Sequence, residues 1–142
     1  MKQGLVEYKD DDYHVKITVV QCSLAQGFRR NAAHAINAAK MKVRETEGKA
    51  PGFQERYVAF RTHPELVGAT TEVQNLEDTK VQLPVEPTLE EFLELPEALI
   101  LAWERVVYTL NPHWIPEMPK VPEKKEEGKE EAKGEVPEPG SN

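Results

Sequence analysis

The feature that most constrains the fold is a long stretch of apolar residues at helical spacing that begins after Ser23. Residues 23–26 read S-x-x-Q, a capping box in which two side chains satisfy each other's free backbone donors at a helix start. Gly48 and Pro51 supply the stop. The pattern predicts one long helix, whose alanines allow a neighbouring helix to approach closely. Its apolar stripe comprises Leu24, Phe28, Ala32, Ala35, Ile36, Ala39 and Val43.

A β-strand is predicted ahead of this helix. Residues 13–21, YHVKITVVQ, alternate apolar and polar side chains with a period of two, and β-branched residues dominate them. Residues 5–8 can pair with this strand across the K-D-D-D turn. We therefore expect a short N-terminal strand or hairpin.

Further helices are predicted after the long one. Residues 54–61 fit either a short helix or an extended segment, and we favour the helix. Thr62 opens a T-x-x-E sequence with Pro64 in the first turn, which predicts a helix with Leu66, Ala69, Val73 and Leu76 on one face.

The last third of the folded part carries two more helix starts. Thr88 begins a third capping box before a short helix, and Pro96 breaks that helix and starts another. The last helix places apolar residues on one face and ends at residues 111–112. These apolar residues are Leu99, Trp103, Val106, Val107 and Leu110.

A change of composition divides the chain near residue 115. Residues 116–142 hold five Pro, eight Glu and five Lys and few apolar side chains, a composition too polar to offset the entropy of ordering. We therefore predict one mainly α domain over residues 1–115, with the N-terminal strand or hairpin, and a disordered Pro/Glu/Lys-rich tail over residues 116–142.

Charge is unevenly distributed along the chain. Residues 13–44 contain six basic residues and no acid, whereas residues 72–104 contain nine acids and one base. Three interpretations remain open: the acidic segment packs across the basic helix, the basic face of the helix binds a partner, or it binds nucleic acid. The formal net charge of −7 argues against a general nucleic-acid binder.

Composition and motifs exclude several other classes. No apolar run is long enough to span a bilayer, and the first residues lack the apolar region of a secretory signal. Cys22 is the only cysteine, and the four histidines lack metal-ligand spacing, so neither a metal site nor a cofactor is expected. A Cys22–His34 nucleophile pair is conceivable, but a buried cysteine is far more common. No catalytic residue is predicted.

The two tryptophans have different predicted positions. Trp103 lies on the periodic face of the last helix, which places it in the core. Trp114 follows the end of that helix, where it either pins the start of the tail against the body or forms an exposed anchor for a partner with Ile115 and Met118.

Residues 87–114, PTLEEFLELPEALILAWERVVYTLNPHW, resemble the C-terminal part of tail assembly chaperones of long-tailed bacteriophages and prophages. The matching features are PT-x-EEF-x-x-LP-E, a helix with one tryptophan, and a closing LNPHW. The upstream strand and helices are compatible with the same family.

The resemblance implies a non-enzymatic protein of the host cytoplasm that is absent from the mature virion. Such a protein binds the helical tape-measure protein and keeps it soluble while the tail tube assembles. A frameshifted, longer product could recruit the tail tube protein. The alternatives are a small structural or head–tail connecting protein that stays in the virion, a minor enzyme or nuclease inhibitor, and a nucleic-acid-binding regulator.

A chaperone of this kind needs a face that accepts amphipathic helices. Two regions qualify: the Ala-rich stripe of the long helix with its basic flanks, and the region around Phe92 and Trp103. Self-association through the thin helix face is an open alternative. The predicted partner-binding residues are Phe28, Arg29, Arg30, Ile36, Lys40, Phe92, Trp103 and Trp114.

Overall fold

The N-terminal hairpin forms as predicted. The computed structural model describes residues 2–115, in which β1 (Gln3–Lys9) pairs antiparallel with β2 (His14–Val20). Asp10 shapes the turn, because its carboxylate accepts the backbone N–H groups of Asp12 and Tyr13 at 2.8 and 2.7 Å. The turn is therefore held by a short side chain of the K-D-D-D sequence.

The long helix, α1 (Leu24–Thr46), has both of its predicted ends. The capping box at Ser23 is present. At the other end Gly48 has φ +74°, a left-handed conformation that glycine adopts without steric cost. The backbone N–H of Lys49 then donates to the carbonyl oxygen of Arg44 at 2.8 Å, which satisfies one of the last carbonyl groups.

A continuous helical run follows, with an irregular middle. It consists of α2 (Phe53–Tyr57), a π-helical turn (Val58–Thr62) and α3 (His63–Ala69). The short helix favoured over residues 54–61 is thus present. Helix α3 begins directly after Thr62, as predicted, but the predicted cap is absent: Thr62 has helical angles, φ −61° and ψ −55°, and its side chain makes no cap hydrogen bond, so the helical run passes through it.

A third strand replaces the second half of the helix predicted after Thr62. β3 (Thr70–Asn75) pairs antiparallel with β2, so that the sheet has the order β1-β2-β3. Val73, expected on a helix face, instead lies opposite Ile17. The prediction of a mainly α domain is corrected accordingly: the fold is mixed α/β, with helices packed on a three-stranded antiparallel sheet.

The C-terminal helices match their predicted starts. The capping box at Thr88 opens α4 (Leu89–Leu93), α5 spans Glu97–Leu110 after Pro96, and a short 3-10 turn covers Pro112–Trp114. The predicted disordered tail lies outside the described residues.

The main core lies between one face of the sheet and α5. The helix packs tightly against β1 at Gly4, where an added Cβ would lie 2.6 Å from Val106 Cγ1. Leu5 and Glu7 on the opposite face of β1 are exposed, as is usual for one face of an antiparallel sheet. The buried apolar residues of the main core are Val6, Val15, Ile17, Val19, Leu66, Ala69, Leu83, Phe92, Leu99, Trp103, Val107 and Trp114.

Helix α3 lies at the centre of the helical layer, and all seven of its residues are buried. It contacts both α1 and α5. Gly68 permits the close approach of α1, since an added Cβ would lie 2.9 Å from the Cβ and 3.1 Å from the Cα of Arg30. Helix α1 is therefore the outermost of these three helices.

Asn111 connects the end of α5 to the end of β2. Its side-chain amide donates to the carbonyl oxygens of Val20 and Val107, both at 3.0 Å, and its side-chain oxygen accepts the backbone N–H of Cys22 at 2.8 Å. The residue is fully buried. The asparagine of the L-N-P-H-W sequence thus has a packing role.

We expect Asn111→Asp to lower the free energy of unfolding by roughly 2–4 kcal/mol, because it removes two buried donors and directs carboxylate oxygens at two carbonyl groups. Urea denaturation would measure the loss. Asn31→Asp, on the exposed side of α1, is the matched control and should change stability little. A loss below about 1 kcal/mol for Asn111→Asp would contradict the proposed connecting role.

Candidate protein-binding surface

Helix α1 turns its apolar stripe toward solvent. The seven residues of that stripe are all exposed, and we call them the outer face of α1: Leu24, Phe28, Ala32, Ala35, Ile36, Ala39 and Val43. The four large side chains have exposed fractions of 74% (Leu24), 62% (Phe28), 58% (Ile36) and 55% (Val43). Fully burying one such side chain stabilises a protein or complex by about 1.5–3 kcal/mol. An exposed row of them is therefore a candidate surface for protein binding.

The inner side of α1 buries one apolar residue, Met41, which packs with Ala59 and Leu89, and it is otherwise held by polar contacts. Asn37 is 1% exposed, and its amide donates to the carbonyl oxygen of Ala59 at 2.8 Å and to Nδ1 of His63 at 2.9 Å. Arg30 stacks on the ring of Trp114, with 4.7 Å from its Cζ atom to the ring centroid. Because these contacts fix the rotation of the helix, the apolar stripe cannot turn inward.

A groove runs beside the outer face, between α1 and the segment that leads into α4. One cavity of about 160 Å³ is lined by Ile36, Pro87 and Leu89, among others. An adjoining cavity of about 150 Å³ is lined by Ala32, Ile36 and Val67. The apolar surface therefore extends past the helix into a shallow concave border.

Two ion pairs cross this border. Arg29 Nη2 lies 2.7 Å from Glu86 Oε2, and Lys40 Nζ lies 2.8 Å from Glu90 Oε1. The hydrogen bond from Lys40 lowers the pKa of the Glu90 carboxyl below its ordinary value. These contacts support the interpretation in which acidic residues pack across the basic helix.

The predicted partner-binding residues divide into three groups. Phe28 and Ile36 lie on the outer face of α1, as a binding role requires. Arg29 and Lys40 border it in ion pairs, whereas Arg30 packs inward. Spacing alone also indicates Leu24 and Val43, which occupy the two ends of the same stripe and are not among the predicted site residues.

The three aromatic residues predicted for the site are buried instead. Phe92, Trp103 and Trp114 have exposed fractions of 3%, 0% and 6%. The indole N–H of Trp103 donates to Thr70 Oγ1 at 2.9 Å, while Phe92 packs edge-on to the ring of His63. They are therefore removed from the candidate surface, and Trp103 has the core position predicted for it.

Trp114 pins the end of the described chain to the helical layer. Its carbonyl oxygen accepts from Arg61 Nη2 at 2.9 Å, while Arg30 covers its ring. Ile115 beside it is half exposed. Of the two alternatives for Trp114, the structure favours the anchor to the body over the exposed hot spot.

His63 is the buried titratable group beneath the groove. Its Nε2–H donates to the carbonyl oxygen of Pro87 at 2.7 Å, so Nδ1 is free to accept from Asn37. Burial lowers the pKa of His63 below its ordinary value, with a smaller contribution from Lys40. The neutral ring thus links α1, α3 and the segment before α4.

The described part of the chain contains no arrangement typical of a metal site. Over residues 2–115, no group of three or more His, Cys, Asp or Glu side chains lies close enough to hold a metal ion. Burial raises the pKa of the Cys22 thiol to about 11, the opposite of what a nucleophile needs. None of the helices over the same range is long and apolar enough to cross a membrane.

Comparisons with known proteins add no relative to this picture. The chain matches no family model, no curated protein and no solved structure at a significant level.

We expect the free energy of unfolding to fall as the pH drops below about 6.5, the unperturbed histidine pKa, and through the lower pKa of folded His63. The unfolded chain binds this proton at higher pH than the folded chain does, so acid favours unfolding. The His63→Gln variant should lack this contribution. Its free energy of unfolding, measured by urea titration, should differ less between pH 7.5 and pH 5 than that of the unmodified chain. The control His34→Gln, at an exposed ring, should show the same change in the free energy of unfolding with pH as the unmodified chain. Equal pH dependence in both variants would contradict the role of His63.

Proposed function

We propose that this chain is a non-enzymatic assembly chaperone of the phage-tail type, and that the outer face of α1 binds amphipathic helices of a tape-measure protein. The single observation that carries the proposal is the exposed apolar row on a 23-residue helix whose rotation is fixed by polar contacts. The resemblance of residues 87–114 to tail assembly chaperones supplies the identity of the partner.

The dimensions of this surface suit a helical partner. A helix of 23 residues is about 34 Å long. Its large side chains are spaced by four, eight and seven residues, which keeps them on one face of the helix, as helix-in-groove recognition requires of its anchors. The alanines between them leave room for side chains of the partner, and the groove beside α1 accepts further apolar groups.

Charge at the border of the surface favours partner helices with acidic flanks. Arg29 and Lys40 are at most partly exposed and pair with Glu86 and Glu90, which are themselves exposed at the surface. A carboxylate on the partner could exchange with either glutamate at little net cost, because exposed ion pairs are worth about 0–1 kcal/mol. Lys42 adds an exposed positive charge along the opposite border.

In this proposal the chaperone acts in the host cytoplasm by covering apolar stripes of the tape-measure protein until the tail tube encloses them. It then leaves and is not part of the finished virion. Recruitment of the tail tube protein through a frameshifted, longer product belongs to the same proposal. A structural head–tail connecting protein is the alternative, and it would be found in purified particles.

We expect co-expression with the long helix-rich reading frame adjacent in the source genome to yield a soluble, co-purifying complex. The double substitution Phe28→Asp with Ile36→Asp should reduce recovery of that partner by about tenfold or more, because it places two charges on the apolar row. Both side chains are more than half exposed, so the thermal unfolding midpoint should change little.

Leu101→Asp is the matched control, since Leu101 is 51% exposed on α5, away from α1. It should leave recovery unchanged. Full recovery with the double variant would place the binding site elsewhere. An insoluble partner with the unmodified chain would contradict the chaperone proposal, and presence of the chain in finished particles would favour the structural alternative.

Charge reversal of the basic flank would be a less specific test than substitution of the apolar row. Arg29 also donates to the carbonyl oxygen of Thr70 at 3.0 Å, and Arg30 covers Trp114. Arg29→Glu with Arg30→Glu would therefore disturb packing as well as change the charge of the border. The exposed apolar residues separate binding from stability more cleanly.

A further inference from the structure

A cavity with a different lining lies on the other border of α1, opposite to Arg29 and Lys40. It has a volume of about 310 Å³ and lies between α1 and the π-helical turn. We call it the arginine–aromatic groove, and its lining residues are Arg30, Asn31, His34, Phe60, Arg61 and Glu65.

The groove offers aromatic rings and one positive charge without an acidic partner. The ring centroids of His34 and Phe60 lie 5.1 Å apart. Arg30 Nε donates to Asn31 Oδ1 at 3.3 Å, but over residues 2–115 no acid forms an ion pair with this arginine. The guanidinium group of Arg30 is therefore available to a carboxylate that enters the groove.

The acidic residue of the groove does not supply that carboxylate. Glu65 Oε2 lies 3.2 Å from Arg61 Nη2, and Glu65 Oε1 accepts the hydroxyl group of Tyr108. Both oxygens of Glu65 thus have partners of their own, and its charge is matched by Arg61.

The residues that follow Trp114 repeat with a period of three. Residues 115–123 read I-P-E, M-P-K and V-P-E, so that each triplet holds an apolar residue, a proline and a charged residue. A polyproline II helix has three residues per turn, which places the apolar residues, the prolines and the charges on separate faces. This pattern distinguishes the start of the tail from the rest, whose composition predicts disorder. It predicts an amphipathic polyproline II segment.

This segment begins beside the groove. Trp114, the residue before it, carries Arg30 over its ring at 4.7 Å, and its carbonyl oxygen accepts from Arg61 Nη2 at 2.9 Å. At about 3.1 Å per residue, Glu117 lies about 9 Å along the chain from Trp114, within reach of Arg30. The covalent link also holds the segment near the groove at an effective concentration of about millimolar order.

We propose that residues 115–123 dock in the arginine–aromatic groove as a polyproline II helix. The prolines pack against His34 and Phe60, and the carboxylate of Glu117 pairs with Arg30. Aromatic-lined grooves bind proline-rich segments well because the polyproline II conformation is preformed and loses little entropy. The docking does not depend on the proposed chaperone function, and it leaves the outer face of α1 free.

Nuclear magnetic relaxation of the backbone ¹⁵N atoms in the full chain tests the docking. The order parameters of residues 117, 118, 120 and 121 should approach about 0.85, the value of a rigid backbone, whereas those of residues 126–135 should stay below about 0.6. Values below about 0.6 from residue 117 onward would overturn the proposal.

Two substitutions on neighbouring residues of α1 locate the segment. Both residues are exposed, so neither change should unfold the chain. His34→Asp places a negative charge in the groove beside Glu117, and it should lower the order parameters of residues 117–121 to below about 0.6. Ala35→Asp, on the outer face of α1, should leave them unchanged. Release by Ala35→Asp alone would place the segment on the outer face and overturn the assignment to the groove.

A charge reversal within the segment tests the pairing with Arg30. Glu117→Lys should lower the order parameters of residues 118–121, and Glu127→Lys, farther along the tail, is the matched control that should not. Equal effects of the two variants would contradict the ion pair. Order parameters that rise with protein concentration would show docking on another copy and overturn the intramolecular arrangement. Loss of client binding with a rigid segment would contradict only the proposed function.

Discussion

The attachment of α1 through the buried side chain of Asn37, beside the apolar contact of Met41, is the constraint on which the rest of the account depends. Asn37 is buried and donates both amide hydrogens, one to the backbone before α3 and one to His63. His63 in turn holds the carbonyl of Pro87. Gly68 lets the two helix backbones come together at Arg30. A helix fixed in this way has its rotation set by hydrogen bonds, and its apolar stripe is left outside.

Leaving the apolar row in water costs free energy in an isolated molecule. The same row would provide a contact surface in a protein that binds other helices. The apolar row on α1 remains in water because the polar contacts beneath it would be broken by any rotation that buried it. Breaking them would leave donors and acceptors without partners in the interior, at about 1–3 kcal/mol for each group. The surface is therefore held open in one orientation, which lowers the conformational entropy that this chain would lose on binding a partner.

Features encoded by neighbouring residues could be predicted from the sequence, and features set by distant contacts could not. The hairpin, the ends of α1 and the capping box at Thr88 depend on a few adjacent side chains. The sequence predicts helix in place of strand β3 because Leu66, Ala69 and Val73 suit helical spacing, whereas the pairing of Val73 with Ile17 is non-local. Which side of α1 is buried could not be predicted either, because a hydropathy pattern gives no weight to a buried asparagine. The burial of Phe92, and the choice between a buried and an exposed Trp114, could not be predicted because exposure cannot be read from residue type.

The most direct test of the open face on α1 is the alkylation rate of a thiol placed at its centre. Ala35→Cys is to be compared with Ala98→Cys, at an exposed position of α5, while native Cys22 reacts slowly because burial raises its pKa to about 11. In dilute chain both introduced thiols should react at similar, fast rates, and the tape-measure partner should protect only the thiol at position 35. Slow reaction at position 35 in dilute chain, or equal reaction of both thiols in the complex, would contradict the account.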